Sequence, residues 1–136
     1  MTSSAASGGA AFASAAGGEP FGSMSCREVR DLTSSGAYQY VDVRTPEEYA
    51  AGHPEGAKNV PVMLRTPAGG MEPNPSFLDQ FEQQFPEKGA QLCVGCASGK
   101  RSLVAASMLA QAGFTDVVNV EGGYQAWVSD NLPTST

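Results

Sequence analysis

The sequence predicts one α/β domain with a mostly parallel sheet that is covered by helices on both faces. Short runs rich in valine and tyrosine alternate with longer stretches whose apolar residues recur at helical spacing. Two of the helical stretches begin with a capping box, and glycines stand where several of them should end. A chain of 136 residues, of which 41% are hydrophobic, is long enough for one domain with a true core.

Four elements are predicted in the first half of the chain. Ser25 and Glu28 have capping-box spacing, so the Ser25 hydroxyl can accept from the first free N–H groups of a helix. Thr45 and Glu48 repeat this spacing, and Pro46 supplies the fixed φ that suits the first helical position. In order, the predicted elements are a helix Ser25–Ser34, a strand Tyr38–Arg44, a helix from Thr45 to Gly52 and a short strand Lys58–Val62.

The second half is predicted to continue the alternation after one irregular segment. Thr66–Pro75 contains three prolines and two glycines, which predicts an excursion without regular structure. The stretch that ends at Gly113 consists almost entirely of small and apolar residues, as expected for a helix buried against a sheet. The predicted elements are a helix Ser76–Phe85, a strand Gln91–Gly95, a helix Lys100–Ala112, a strand Thr115–Val120 and a last helix after Gly122-Gly123.

The charge of the chain restricts its partners. The formal net charge is −6 and the sequence pI is about 4.6, which argues against binding to nucleic acid or to anionic membranes. No run approaches the roughly 18 apolar residues of a membrane span. Lys100 and Arg101 are adjacent, so a local positive site is expected in a negative background. Small anions are therefore the predicted ligands.

Composition also indicates the compartment and the domain boundaries. Three cysteines at irregular positions do not resemble the disulfide framework of a secreted domain, so we expect a reducing compartment. Residues 1–22 are rich in Ala, Gly and Ser, which predicts a disordered tail before a domain over residues 23–133 and a second, short tail over residues 134–136. A plastid transit peptide is the alternative for the first segment, although such peptides are Arg-rich and the first basic residue here is Arg27.

The chemistry of the chain is predicted to lie where a strand ends and a helix begins, in the run Cys96-Ala97-Ser98-Gly99-Lys100-Arg101-Ser102. The first turn of a helix has N–H groups without internal partners, and its dipole favours an anion. A cysteine at this position should therefore ionise more readily than a free cysteine. The N–H groups of the run are expected to curl around the sulfur, and Gly99 permits the positive φ that such a curl needs.

The side chains of this loop suit a small anionic substrate. Arg101 offers a planar fork of donors for a sulfonate or carboxylate, and Lys100 offers a more mobile charge that attracts it. Ser102 is expected to cap the helix or steady the loop. Cys96 is the predicted nucleophile, and the loop from Ala97 to Ser102 is the predicted substrate-binding segment.

Several short motifs follow one another along the chain. They are Asp42-Val43-Arg44 at the end of a strand, Thr45-Pro46-Glu47-Glu48-Tyr49, Gly52-His53, Gly56-Ala57, the cysteine loop and Gly122-Gly123-Tyr124-Gln125-Ala126-Trp127. In their order, from about Ser25 to Pro133, the chain resembles a single-domain rhodanese, a sulfurtransferase. The excursion after Val62 and the closing Asn131-Leu132-Pro133 are most similar to the plant and algal senescence-associated group. Pro54-Glu55 depart from the family pattern, which has an aliphatic residue and then a proline.

The resemblance implies a rhodanese-like three-layer fold with a five-stranded, mostly parallel sheet flanked by helices. It also implies a ping-pong reaction at Cys96, which takes sulfur from thiosulfate or 3-mercaptopyruvate and becomes a persulfide. Cyanide, a small thiol or a protein thiol, such as that of a thioredoxin-like or glutaredoxin-like protein, then removes the sulfur. No cofactor and no metal is expected, and the implied compartment is the cytoplasm or the chloroplast stroma.

Other residues allow both a functional and a structural interpretation. Cys93-x-x-Cys96 resembles a redox pair, but in an extended strand the two Cα atoms lie about 10 Å apart, whereas a disulfide needs less than about 7 Å. Cys93 is therefore assigned to packing. His53 could act as a base, yet a thiolate in this loop needs none, so it is assigned to the turn that follows. Asp42 and Arg44 are expected to form a salt bridge that supports the loop, with a direct contact to the substrate as the alternative.

Two other functions are compatible with a cysteine in such a loop. In rhodanese-like phosphatases, five residues separate the cysteine from the arginine and make room for a tetrahedral oxyanion. Four residues separate Cys96 from Arg101, and this smaller loop favours a single sulfur. Some plant arsenate reductases resemble the single-domain group, so arsenate reduction stays an alternative. The other alternative is a non-catalytic interaction module, against which the presence of Cys96 counts.

Overall fold

The computed structural model describes residues 21–136, and the predicted disordered tail lies outside the described residues as far as residue 20. The helices are α1 (Cys26–Ser34), α2 (Pro46–Ala51), α3 (Phe77–Gln84), α4 (Lys100–Gln111) and α5 (Gly123–Ser129). The strands are β1 (Gly22–Met24), β2 (Gln39–Asp42), β3 (His53–Pro54), β4 (Lys58–Asn59), β5 (Met63–Arg65), β6 (Met71–Pro73), β7 (Leu92–Gly95), β8 (Val117–Val120) and β9 (Thr134–Ser135). Within this range no helix is long and apolar enough to cross a membrane.

A five-stranded sheet in the order β1-β8-β7-β2-β4 forms the centre of the molecule, and its strand pairs are all parallel. The α/β fold with a five-stranded parallel sheet is therefore confirmed. Asp42 pairs with Gly95, so β2 and β7 end side by side. In open sheets of this kind, ligands bind beyond the carboxyl ends of the strands. Cys96 follows β7 directly and lies at that edge.

Side chains alternate between the two faces of the sheet, and helices cover both faces. The first core packs Val41, Val43, Leu92, Val94 and Val117 against α3 and α4. The second core packs Tyr40, Cys93, Val118 and Val120 against α1 and α5. Cys96 belongs to the first core and Cys93 to the second, so the two residues lie on opposite faces of the sheet. On α4 only one side is buried, since Leu103 and Val104 are 39% and 57% exposed.

Both predicted capping boxes are formed. The Ser25 hydroxyl accepts from the Glu28 N–H at 3.3 Å, and Glu28 Oε1 accepts from the Ser25 N–H at 3.1 Å. The Thr45 hydroxyl accepts from the Glu48 N–H at 3.3 Å, and Glu48 Oε1 accepts from the Thr45 N–H at 3.0 Å. These reciprocal bonds satisfy N–H groups that a helix leaves without partners. They fix the starts of α1 and α2 where the sequence predicted them.

The excursion after Val62 is regular, contrary to the prediction for Thr66–Pro75. Strands β5 and β6 form an antiparallel hairpin in which Arg65 pairs with Met71. Its turn is closed by the Thr66 N–H, which donates to the Gly70 carbonyl at 2.9 Å, and by Gly69 with a φ of 94°. The prolines do not prevent the hairpin, because they lie in the turn, at the strand end and beyond it.

The strand predicted over Lys58–Val62 is shorter than expected. Only Lys58–Asn59 is regular, although the Val60 N–H still donates to the Asp42 carbonyl at 3.1 Å. Pro61 has no N–H to donate, which interrupts the regular pairing of this edge strand, although the Val62 N–H donates to the Val43 carbonyl at 3.1 Å beyond it.

The ends of the described chain pack more closely than the sequence predicted. Phe21 is 7% exposed in the first core and Gly22 pairs with Val118, so ordered structure begins within the segment assigned to a tail over residues 1–22. Thr134 pairs with Pro54, which places part of the predicted tail 134–136 in an antiparallel strand pair. Such partners are distant in the sequence and leave no local pattern at either end.

Candidate active site

Cys96 lies between β7 and α4 and is 1% exposed. The Gly99 N–H donates to Cys96 Sγ at 3.0 Å, and Ser102 Oγ lies 3.5 Å from the sulfur. Gly99 has a φ of 109°, in the left-handed region that glycine adopts without the strain of a side chain. The loop thus turns back toward the sulfur at Gly99, and the positive φ that the sequence predicted for this residue is confirmed.

The surroundings of Cys96 favour its thiolate. Burial raises the pKa of the thiol and is the largest single influence, but hydrogen bonds from the Ser102 hydroxyl and from the N–H groups of Ser102, Gly99 and Ser98 outweigh it. The net result is a pKa below that of an ordinary cysteine. The loop thus favours the thiolate, which is the nucleophilic form of a cysteine.

The carbonyl side of the loop is held by the first turn of α5. The Tyr124 N–H donates to the Cys96 carbonyl at 2.7 Å, and the Gln125 N–H donates to the Ala97 carbonyl at 3.0 Å. This approach requires a glycine, since a Cβ at Gly123 would lie 2.2 Å from the Cys96 carbonyl oxygen. With the carbonyls bound by α5, the following N–H groups of the loop remain available to the sulfur.

Replacement of Gly123 by alanine is expected to destabilise the fold by about 2–3 kcal/mol, because the Cβ collides with the loop and the backbone is left-handed. Gly56→Ala is the matched control. Gly56 has a φ of 83°, but an added Cβ there has nothing within 4 Å. Gly56→Ala should lower the free energy of unfolding by only about 1 kcal/mol, because backbone strain is its single effect. Urea unfolding measures both losses, and equal losses would contradict the importance of the close approach.

The guanidinium of Arg101 is bound by Glu48 of α2. Nη1 donates to Oε1 at 2.7 Å and Nη2 donates to Oε2 at 3.0 Å, which is a bidentate pair. This differs from the expectation that the fork is open to a sulfonate or carboxylate ligand, because a carboxylate of the chain itself already occupies it. Arg101 therefore ties the cysteine loop to α2.

The pair with Arg101 lowers the pKa of Glu48 to about 2, through hydrogen bonds that exceed the opposing effect of burial. In the unfolded chain a glutamate carboxyl has a pKa of about 4.3. This stabilisation is therefore fully present above that pH and is lost as the pH falls through the folded pKa of about 2. We expect Glu48→Gln, which keeps an oxygen for the Thr45 cap, to be less stable than the wild type by about 2 kcal/mol near neutral pH. Urea unfolding at decreasing pH should show the difference shrinking toward pH 2, and a constant difference would contradict the assignment.

Asp42 and Arg44 form the predicted salt bridge. Arg44 Nη2 and Asp42 Oδ2 are 2.7 Å apart, and their side chains are 6% and 1% exposed. Nη2 also donates to the Gly52 carbonyl at 2.6 Å, and the guanidinium carbon lies 4.2 Å from the centroid of the Tyr124 ring. The pair joins β2 to the end of α2 and to α5, the helix that holds the carbonyls of the cysteine loop. This is the supporting position that the sequence predicted.

A pocket of about 230 Å³ opens beside the loop. It is lined by Val62, Met63, Lys100, Arg101 and Val104. Lys100 is exposed, while Arg101 is held by Glu48. The pocket therefore combines apolar walls with a mobile positive charge next to the cysteine loop.

Cys93 and His53 have structural surroundings. Cys93 is buried in the second core, and burial raises the pKa of its thiol. The His53 ring stacks on Tyr49 with 3.7 Å between centroids, and its Nδ1 lies 2.8 Å from the Tyr49 carbonyl oxygen. These contacts agree with the assignment of Cys93 to packing and of His53 to the turn.

Sequence reasoning missed Asn119, a buried residue of β8. Ser102 Oγ donates to Asn119 Oδ1 at 2.6 Å and also lies 3.5 Å from Cys96 Sγ, so Ser102 connects the amide to the sulfur. The available signal was a single amide in the otherwise apolar run Val117–Val120. Glu48 was recognised only as a helix cap, because its second partner, Arg101, is 53 positions away.

The family of rhodanese-like domains matches residues 25–130. Senescence-associated protein DIN1 of Raphanus sativus is 46% identical over 111 residues, which cover 82% of this chain and 59% of that protein. Thiosulfate sulfurtransferase 16, chloroplastic, of Arabidopsis thaliana is 47% identical over 112 residues, which cover 82% of this chain and 91% of that protein. The chain therefore spans about three fifths of the length of DIN1 and most of the second relative. The expected similarity to the plant senescence-associated group is confirmed.

A solved structure shows the same fold. The human single-domain sulfurtransferase TSTD1 is 32% identical and superposes with a TM-score of 0.61 over 79% of this chain and 95% of that chain. The described domain therefore corresponds to nearly the whole of a protein that is itself a single domain.

Proposed function

This chain belongs to the family of rhodanese-like domains, and we propose that it is a sulfurtransferase that carries sulfur as a persulfide on Cys96. The observation that carries the proposal is a buried thiol with a lowered pKa, to which the Gly99 N–H donates at 3.0 Å. Two relatives whose names describe sulfurtransferases, one from Arabidopsis thaliana and one human, support it.

The first half-reaction loads the sulfur. The Cys96 thiolate attacks the outer sulfur of thiosulfate, a new S–S bond forms, and sulfite leaves with the electron pair of the broken S–S bond. With 3-mercaptopyruvate, the thiolate attacks the thiol sulfur and the C–S bond breaks with its electron pair on carbon. The resulting enolate takes the proton of the former thiol and leaves as pyruvate. In both cases the negative charge moves to the terminal sulfur, which the N–H groups of the loop are suited to stabilise.

The second half-reaction removes the sulfur. Cyanide attacks the terminal sulfur, the S–S bond breaks, and thiocyanate leaves as the Cys96 thiolate is regenerated. A small thiol or a protein thiol, such as that of a thioredoxin-like or glutaredoxin-like protein, takes the sulfur in the same way through its thiolate. The lowered pKa of Cys96 makes it a good leaving group in this step.

Intact mass spectrometry tests the proposal. Reduced protein treated with thiosulfate or 3-mercaptopyruvate should gain one sulfur, about 32 Da, and cyanide should remove it, as expected for covalent catalysis. Protein whose accessible thiolate has first been blocked with iodoacetamide is the control and should gain nothing. No gain from either donor in folded, reduced protein would refute the proposal. A parallel assay with arsenate and a thiol reductant tests the arsenate reductase alternative.

Lys100 is expected to attract anionic donors to the pocket. Replacing Lys100 with glutamine should raise KM for thiosulfate about fivefold at low ionic strength. The attraction between one exposed positive charge and an anionic donor in the pocket contributes about 1 kcal/mol to donor binding. The turnover number should change little. Lys88→Gln is the matched control, since this residue precedes β7 at the opposite end of the strand from Cys96. An equal effect of both variants, or an effect that high salt does not reduce, would contradict steering by Lys100.

The cytoplasm or the chloroplast stroma is the proposed compartment. The name of thiosulfate sulfurtransferase 16, which describes a chloroplastic protein, supports the second choice. Both compartments are reducing, which suits a protein whose three cysteines are free in the structure.

A further inference from the structure

Asn119 is a buried amide in an otherwise apolar strand. It is 5% exposed, and its neighbours on β8 are valines. Burial of an amide is unfavourable unless hydrogen bonds replace those it makes with water. Asn119 Oδ1 is 2.6 Å from Ser102 Oγ, and Ser102 is itself completely buried. The short distance and the burial identify this contact as a strong and specific one.

Three acceptors compete for the single proton of the Ser102 hydroxyl. Asn119 Oδ1 lies at 2.6 Å, the Gly99 carbonyl oxygen at 3.1 Å and Cys96 Sγ at 3.5 Å. A hydroxyl can donate only one hydrogen bond at a time, although it accepts two. When the proton points to Asn119, Ser102 offers only lone pairs to Cys96, which favours the thiol. When it points to the sulfur, it favours the thiolate.

We propose that Asn119 is a positioning residue that sets the direction of the Ser102 hydroxyl proton and thereby the reactivity of Cys96. It acts entirely through Ser102. As an amide it can serve both states of the sulfur. Its oxygen accepts from Ser102 while Cys96 is a thiol, and its nitrogen, turned to Ser102, donates to Oγ and leaves the hydroxyl proton to the thiolate.

The strand position explains why this residue and not another reaches Ser102. Asn119 lies in register with Val94 on β7, two residues before Cys96. Ser102 lies on the side of α4 that packs on the sheet, together with Ala105 and Ala106. The contact is therefore fixed by the packing of a helix on two adjacent strands, and it does not depend on a mobile loop.

Charged groups on the elements that meet at the loop must stay unchanged in any test, because Arg101 is electrostatically coupled to Cys96. They are Lys100 and Arg101 on α4, Glu48 on α2, Asp42 and Arg44 at the end of β2, and Glu121 after β8. Substitutions at Asn119 leave all of them in place. Asn119→Leu also adds no charge, whereas Asn119→Asp adds an acceptor that cannot donate together with a negative charge, so the leucine variant separates the direction of the hydroxyl proton from a purely electrostatic effect.

The proposal rests on Cys96 being the nucleophile of the proposed function, but its test does not require sulfur transfer. The rate of alkylation of Cys96 by iodoacetamide is measured between about pH 4 and about pH 9 by intact mass, because only the thiolate reacts. Cys96→Ser protein gives the blank for other thiols. Asn119→Asp should raise the apparent pKa of Cys96 by about one unit, since the carboxylate holds the Ser102 proton away from the sulfur and its negative charge also disfavours the thiolate.

Two uncharged variants complete the test. Asn119→Leu should raise the apparent pKa by about half a unit, which is about a threefold loss of thiolate below the pKa, as Ser102 turns to the Gly99 carbonyl. Ser102→Ala should raise it as well, and Ser102→Ala/Asn119→Leu should titrate like Ser102→Ala alone. Circular dichroism confirms that each variant is folded. The uncharged leucine variants decide the proposal, whether or not Asn119→Asp folds.

The outcomes separate this proposal from the proposed function. Unchanged titration of Cys96 in folded Asn119→Leu protein would overturn it, whatever the result for Asn119→Asp, as would an additional shift in the double variant. The shifts described above would support it even if neither sulfur donor loads Cys96, in which case the proposed function fails and the proton-directing role of Asn119 stands.

Discussion

Replacing Cys96 with serine is expected to abolish sulfur loading and to leave the protein folded. A serine hydroxyl stays protonated at neutral pH and cannot form a persulfide, so transfer from thiosulfate to cyanide should fall by at least about 10⁴-fold. The smaller oxygen can still accept from the Gly99 N–H that donates to the sulfur. The cost in stability should therefore be about 1 kcal/mol or less. Thiocyanate formation measures the activity and urea unfolding measures the stability.

Cys93→Ala is the matched control for Cys96→Ser. Both residues are buried and lie three positions apart, but Cys93 packs in the second core. The variant should lose some stability from the small cavity and keep its ability to load and transfer sulfur. Two results would contradict the assignment of Cys96 as the single working thiol: sulfur gain by folded Cys96→Ser protein, or complete loss of loading in folded Cys93→Ala protein.

Replacing Asp42 with alanine is expected to destabilise the protein by about 3–5 kcal/mol, because it leaves the buried guanidinium of Arg44 without its carboxylate. The side chains of the pair are only 1% and 6% exposed, so water cannot take the place of the lost partner. Arg44 also donates to the Gly52 carbonyl and lies over the Tyr124 ring. If Arg44 shifts after the loss of Asp42, the start of α5 should become less well ordered. Urea unfolding measures the loss.

Glu82→Ala is the matched control for Asp42→Ala. Glu82 also forms a salt bridge, with Lys88, but the side chains of that pair are 42% and 41% exposed. Exposed pairs of this kind contribute only about 0–1 kcal/mol, because water screens the charges and can replace the partner. If both variants lost similar, small amounts of stability, the buried pair would not be the structural link that its geometry indicates.

The features that sequence reasoning predicted depend on interactions between residues close in the chain. The two capping boxes use residues three positions apart, and Gly99 has the positive φ expected of it. The Asp42–Arg44 salt bridge spans two positions at the end of a strand. The parallel sheet follows from the alternation of strands and helices, which is also a local pattern.

The features that it missed depend on partners that only the folded chain brings together. Arg101 was expected to present an open fork, yet Glu48, 53 positions earlier, occupies it. Asn119 meets Ser102 through the packing of α4 on β8. Composition suggested a structureless segment at Thr66–Pro75, but it cannot show that Met63 and Pro73 lie in register. In each case the residue types were visible and their pairing was not.

Cys93 and Cys26 belong to one core and Cys96 to the other, and these are all the cysteines of the chain. An oxidant that converts the Cys96 thiolate to a sulfenic acid therefore finds no second thiol of the same chain on its face of the sheet with which to condense. Only a thiol from another molecule can restore it before oxidation reaches the irreversible sulfinic acid. Because side chains alternate along β7, we expect the lifetime of the protein under oxidative stress to depend on the reducing capacity of its surroundings.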